Sequence, residues 1–176
     1  SGIRPLFFMK KSDLNKKLVL GILFIFPLLV YLFFASGKNN FAKLPILTRG
    51  IAEISSIDSL TALQLEDRIT VLGYWGGSLA SKKAEALNLN EKIYKRFYEF
   101  QDFQFVFLVN QEYDAEVNQL KKALKEGVGT DLRKWNFISL SKEQMQQHFK
   151  TLKVPLELNG AGSTPYVFII DKARNL

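Results

Sequence analysis

Glu112, Asp114 and Glu116 bring three carboxylates into one short stretch behind an apolar run, close enough for one to act as an acid and a neighbour as a base. A solvated loop cluster is the commoner outcome of such spacing. His148 is the only histidine of the 176 residues, and it sits beside Gln146, Gln147 and Lys150 on a helical stretch. A metal site wants three or four donors, so a solvated or partly packed imidazole is expected there. Gly76-Gly77 loosely resembles a phosphate-cradling turn, but it lacks the longer glycine-rich spacing and a following Lys-Ser/Thr. Lys82 and Lys83 open the helix behind that turn, where positive charge opposes the helix dipole. Chemistry or a partner's acidic surface would explain them, and an exposed, neutral surface is the plain alternative. The chain has no cysteine, which removes disulfide exchange, thiolate nucleophiles, thiolate metal sites and lipobox acylation.

The elements that must hold these residues alternate along the chain. Ile69 to Lys83 (ITVLGYWGGSLASKK) reads as a buried strand turning sharply into a helix, the usual place for chemistry in an open α/β sheet. Apolar residues from Ala84 to Phe100 recur every three to four positions and predict an amphipathic helix. Phe103 to Val109 predicts a second strand, Val117 to Val128 a helix ending near Gly127 or Gly129, and Trp135 to Leu140 a third strand. Ser141, with Gln144 three residues on, predicts a capping box opening a helix through Leu152. Thr164-Pro165 then introduces a strand over Tyr166 to Ile170, closing at Asp171-Lys172. Upstream, Leu44-Pro45-Ile46-Leu47 with Ile51, Ile54 and Ile57 reads as edge strands or a hairpin. Such alternation predicts an α/β domain with a mostly parallel, right-handed arrangement around a central mixed sheet flanked by helices.

Ahead of this domain, Leu18 to Ala35 is an 18-residue run without charge, about 27 Å long as a helix. The run exceeds a signal-peptide apolar region, and Phe33 stands where a small residue is wanted before Ala35. It shows no polar face for a core helix, so an uncleaved membrane anchor is expected, with Pro27 tolerated inside it. The boundaries read as a basic N-terminus over 1–17, a transmembrane helix over 18–36, a linker over 37–43 and the globular domain over 44–176. Met9-Lys10-Lys11 looks like a bacterial start preceded by an extension. Residues 1–37 hold +4 of the chain's net +7, and the remainder is a mixed-charge surface, so nucleic acid is not an expected partner and the lipid bilayer is. The basic bias before the anchor predicts a cytoplasmic N-terminus and a periplasmic domain at a bacterial inner membrane.

Taken together, the strand-to-helix turn at 69–83, the strand, loop and helix of 103–126, and a Thr-Pro before an apolar strand ending in Asp-Lys resemble the thioredoxin-like superfamily over 44–176. That resemblance implies a cis bond before Pro165. The nearest likeness is to the SCO family, the membrane-anchored copper chaperones of cytochrome oxidase assembly. It rests on Lys43 to Leu47, Val109 to Asp114, Asp131 to Ile138 and Phe168 to Lys172. A TlpA-type anchored thioredoxin is the nearby competitor. The family's Cys-x-x-x-Cys positions fall on Leu79 and Lys83 and its histidine near Ser163, while a Cys-x-x-Cys would fall on Leu79 and Lys82. None of these can offer copper a soft donor, and Asn110 stands where the family has an acidic residue.

The resemblance therefore implies a degenerate member without cofactor or catalytic residues. Its old site, Gly76, Gly77, Leu79, Lys82, Lys83, Ser163, Thr164 and Pro165, would serve as a contact face. The expected role is accessory subunit or assembly factor of a membrane complex, with a respiratory oxidase favoured. A cysteine-independent activity using Lys83 and the Asp114 loop is the alternative, and residual copper handling is a third. Asp171 to Leu176 reads as the turn of a terminal hairpin that the family would continue with a strand and a helix, so a truncated or rebuilt end is expected. The 15 Phe of the chain are several more than a core of this size requires, which predicts exposed or lipid-facing rings that mark an interface, and the four in the anchor, Phe24, Phe26, Phe33 and Phe34, account for part of the excess.

Overall fold

The structure is a computed structural model that describes residues 11–36, 45–129 and 131–176. The chain divides into two units, which meet between Leu44 and Pro45. Residues 1–10, the linker and Leu44, on which several expectations fall, lie outside the described residues.

The first unit is helix α1, Lys11–Ser36, which carries Pro27 within it. Its Asn15–Ser36 segment is long and apolar enough to cross a membrane, and none of it is buried against protein. An apolar helix with no protein cover has no aqueous surface to offer, which is the pattern of a lipid-facing segment.

The second unit is built on a four-stranded sheet. Strands β1 (Ile69–Trp75), β2 (Phe103–Asn110), β3 (Trp135–Leu140) and β4 (Ser163–Ile170) lie in the order β3-β2-β1-β4. β1, β2 and β3 run parallel, whereas β4 is antiparallel to β1. The two central strands are buried almost end to end, which is why they read as continuous apolar runs rather than alternating ones.

Each sheet face has its own core. One joins Leu72, Tyr74, Val106, Leu108 and Phe168 to Ile51, Ile54 and Leu65, to Met145 and Phe149 of helix α5 (Lys142–Thr151), and to Leu152, which caps it. The other joins Val71, Trp75, Phe105, Phe107 and Trp135 to Leu79 of the 3₁₀ turn Leu79–Lys82 and to Ala86, Tyr94, Leu120 and Leu124 from the helices opposite. Those helices are α2 (Lys83–Leu89), a wide π-turn over Asn90–Tyr94 that leads into α3 (Lys95–Phe97), and α4 (Asp114–Val128). Phe107 stacks on Trp75 with ring centres 3.9 Å apart. The stack needs Gly73 in β1, because a Cβ there would stand 2.4 Å from the Phe107 ring.

The expected capping box is present: Ser141 Oγ accepts from the Gln144 amide and Gln144 Oε1 from the Ser141 amide. Two expectations need correction. The 44–57 stretch forms no strand among its described residues, only a 3₁₀ turn at Ile54–Ser56. Its polar groups bond elsewhere: the Leu47 amide donates to Leu176 O at 2.6 Å, the Ile51 amide to Arg174 O at 2.9 Å, and Glu53 accepts from the amides of Leu65 and Glu66. With those partners taken, Ile51 and Ile54 drop into the core without a ladder. No described peptide bond is cis, so the bond before Pro165 is trans. The register slips between Gly73 and Trp75, whose partners are Val167 and Ser163, and the surplus β4 residues form a bulge. Pro165 lies exposed in that bulge, where no ladder N–H is required.

Candidate functional site

The turn after β1 and the stretch before β4 do come together. Gly76 is buried, and a Cβ placed on it would lie 2.1 Å from Ala161 O and 2.7 Å from Gly162 O. The 161–162 backbone therefore lies directly on Gly76, and only glycine permits it. At Gly77 a Cβ would meet nothing closer than 3.6 Å, so that position has room.

Ser163 pairs with Trp75 in the ladder, and its hydroxyl donates to Tyr74 O at 3.1 Å. Its amide donates to Asn159 Oδ1 at 2.9 Å, and Asn159 also holds the Ala161 amide. Thr164 is buried beside it. Ser163 is thus spent on closing the loop, Thr164 Oγ1 accepts from the Tyr166 amide at 3.4 Å, and Pro165 is exposed between them.

Leu79 is 1% exposed and belongs to the core that holds Trp75 and Phe107. Lys82 donates to Glu85 at 2.7 Å and stands 5.9 Å from the centre of the Trp75 ring, whose Nε1 donates to Glu85 at 3.3 Å. The lysine that opposes the helix dipole is thus offset locally by a carboxylate and an aromatic face. Lys83 is exposed and lines shallow grooves beside α4 with Leu79, Gln119 and Ala123.

The acidic stretch separates on folding. Asp114 accepts from the Ser139 hydroxyl on β3. Glu116 accepts from Ser78 Oγ at 2.9 Å and from the Ala80 amide at 3.0 Å, clamping the turn to the first turn of α4. The Ser78 hydrogen bond, seconded by the amides of Ala80 and Leu79, holds its carboxyl below the usual range. Glu112 lines a polar cleft of about 380 Å³ at the carboxyl ends of the three parallel strands, with Asn110, Gln111, Ser141, Lys142 and Glu143. Gly76, Gly160 and Ala161 form its wall. Lys83 and Asp114 are not among the residues lining it.

His148 departs most from expectation. It is fully buried, with Tyr74 Oη 2.6 Å from Nδ1 and Ala52 O 3.0 Å from Nε2. A carbonyl only accepts, so Nε2 carries the proton and Nδ1 accepts from the tyrosine. Burial pushes the His148 pKa below its ordinary value, against the opposing pull of the Ala52 hydrogen bond and the Glu53 charge. Burial raises the Tyr74 pKa well above the ordinary value. The signal was in the spacing: Met145, His148, Phe149 and Leu152 share one helical face, and all four are buried.

Among the described residues no three His, Cys, Asp or Glu side chains gather as a metal site would require. Comparison with known proteins found no matching family, curated protein or solved structure.

Proposed function

We propose that this chain is a non-catalytic, membrane-anchored thioredoxin-like protein of SCO type, acting as an accessory subunit or assembly factor of a membrane complex. A respiratory oxidase or its supercomplex is the favoured client, and the lipid bilayer holds the anchor. The observation that carries the reading is the closure of the turn after β1: Gly76 lies under the 161–162 backbone, Leu79 is in the core, and the Ser163 hydroxyl is bonded to β1. A chelating or thiol site at these positions lacks donors, whereas a protein contact needs only the surface.

The mixed sheet, with its last strand antiparallel to the first, supports the thioredoxin-like part, although the bond before Pro165 is trans. The apolar helix supports the anchor. The further placement at a bacterial inner membrane, N-terminus inside and domain periplasmic, rests on the basic residues before the anchor. A cysteine-independent activity has less support, because Lys83 and Asp114 do not share the polar cleft.

The test is native purification in mild detergent. Co-purification of respiratory subunits at fixed stoichiometry is the expected result. A lone monomer would sink the role, and stoichiometric copper on the purified protein would sink the claim that the site is degenerate.

A further inference from the structure

The second unit carries an apolar patch, bordered by charges of both signs, at the amino-terminal end of its parallel strands. Phe100 is 63% exposed, Phe97 44% and Ile69 42%. The two Phe rings lie 6.2 Å apart, Phe97 is 5.8 Å from Phe103, and Phe103 is the ladder partner of Ile69. The patch is therefore one surface rather than scattered residues.

Its backbone is held by cations. Lys134 Nζ donates to Phe100 O, and Arg68 donates to Gln101 O at 2.8 Å. Lys172 pairs with Asp102, and Arg133 with Asp131 at 3.6 Å. Glu66, Asp67, Glu99 and Asp171 are the remaining carboxylates of these turns. Among the described residues no carboxylate lies within ion-pair distance of Arg68 or Lys134, although the Asp102 charge acts on both, and each is fixed by its hydrogen bond beside the aromatic surface.

The chain enters the domain at the same end. Leu47 and Thr48 bond to Leu176, the Asp67 amide donates to Lys172 O at 2.9 Å, and Lys172 reaches Asp102 beside the patch. Only residues 37–44 separate α1 from this end, and eight residues reach at most about 28 Å.

We infer that this end of the domain rests on a phospholipid bilayer, with Phe97 and Phe100 in the interfacial region and Arg68 and Lys134 against lipid phosphates. Aromatic side chains are favoured at the interface, and guanidinium and ammonium groups bond phosphate there while their stems stay in the apolar zone. The inference rests on the proposed function only in taking α1 as the anchor. The opposite end, with the Gly76 turn and the polar cleft, would then face away from the lipid.

Because the chain lacks cysteine, single labels report cleanly. Full-length protein carrying Phe100→Cys, Ala173→Cys or Glu112→Cys is spin-labelled and reconstituted in phospholipid nanodiscs, and accessibility to oxygen and to a water-soluble nickel complex is read. Labels at 100 and 173 are expected to be several-fold less accessible to nickel than the label at 112. Adding Phe97→Ser and Phe100→Ser to the 173-labelled protein is expected to bring its accessibility to the level seen at 112. Equal accessibility at both ends, or shielding at 112, overturns docking. Shielding at 100 in native membranes but not in pure-lipid nanodiscs assigns the patch to a protein and overturns it too. Failure of the protein to remain with the nanodiscs refutes the anchor itself, a result distinct from all of these.

Discussion

The Tyr74 hydroxyl donates to His148 Nδ1 across 2.6 Å of fully buried core, tying β1 to α5. Tyr74→Phe leaves an imidazole nitrogen without a donor and should cost about 1–3 kcal/mol. Replacing both, Tyr74→Phe with His148→Leu, removes the unmet need along with the bond and should be less destabilising than the two changes summed. Equilibrium urea unfolding of the detergent-solubilised protein measures the cycle. Strict additivity would show that the two side chains are not coupled.

The same histidine makes stability depend on pH. Its folded pKa lies below the unfolded value of about 6.5, so on acidification the unfolded chain takes up a proton that the folded one resists. This contribution is intact above the unfolded pKa and is lost as pH falls from there toward the folded value. Urea midpoints should drop over that window in the wild type, and His148→Leu should flatten the drop. An unchanged slope would place the acid sensitivity elsewhere.

Gly76 and Gly77 offer a matched steric test. Gly76→Ala drives a methyl group to 2.1 Å from the Ala161 carbonyl and should destabilise by about 1–3 kcal/mol or more, as overpacking does. Gly77→Ala makes ordinary contact at 3.6 Å and should change stability by less than about 0.5 kcal/mol. Thermal unfolding of the two variants side by side distinguishes the sites. Similar losses would mean the loop over Gly76 can move away.

Glu116 predicts a local effect. Glu116→Gln keeps the side-chain shape but weakens the bonds from Ser78 Oγ and the Ala80 amide, so hydrogen exchange at Ala80 should quicken in the variant. In the wild type the same acceleration should come on acidification, after correction for intrinsic exchange, because protonation ends the carboxylate's acceptor advantage. Unaltered exchange would show that the turn is held by its packing alone.

Strand and helix locations could be read directly because β2, β3 and the Ser141 cap combine local propensity with burial in the same residues. The site was legible only as positions. Sequence spacing placed the 76–83 and 160–165 stretches together, but that Gly76 would be closed by a carbonyl depends on a contact 85 residues away. The Ile51, Ile54 and Ile57 spacing reads as extended chain only while its hydrogen-bond partners are unknown, and those partners include Glu53 and the residues at 174–176. The polar sequence neighbours of His148 point toward solvent, whereas its own helical face is apolar and buried. The trans bond before Pro165 was out of reach because the bulge in β4 is a property of the paired strands.

The π-turn at Asn90–Tyr94 sets the phase of everything that follows it on its helix. Ala86, Asn90 and Tyr94 are all buried and each four residues apart, a spacing that drifts about 40° per step around an unbroken α-helix. The extra residue in the wide turn absorbs that drift, so Asn90 still reaches Trp135 Nε1 and the Tyr94 hydroxyl reaches Asp131 O and the Lys134 amide. Phe97, the last residue of α3, inherits its bearing from it. Deleting one residue from this turn would rotate the Phe97 ring by about 100° while leaving composition and hydropathy almost unchanged, so the direction in which the helix presents that ring is encoded as a count of residues.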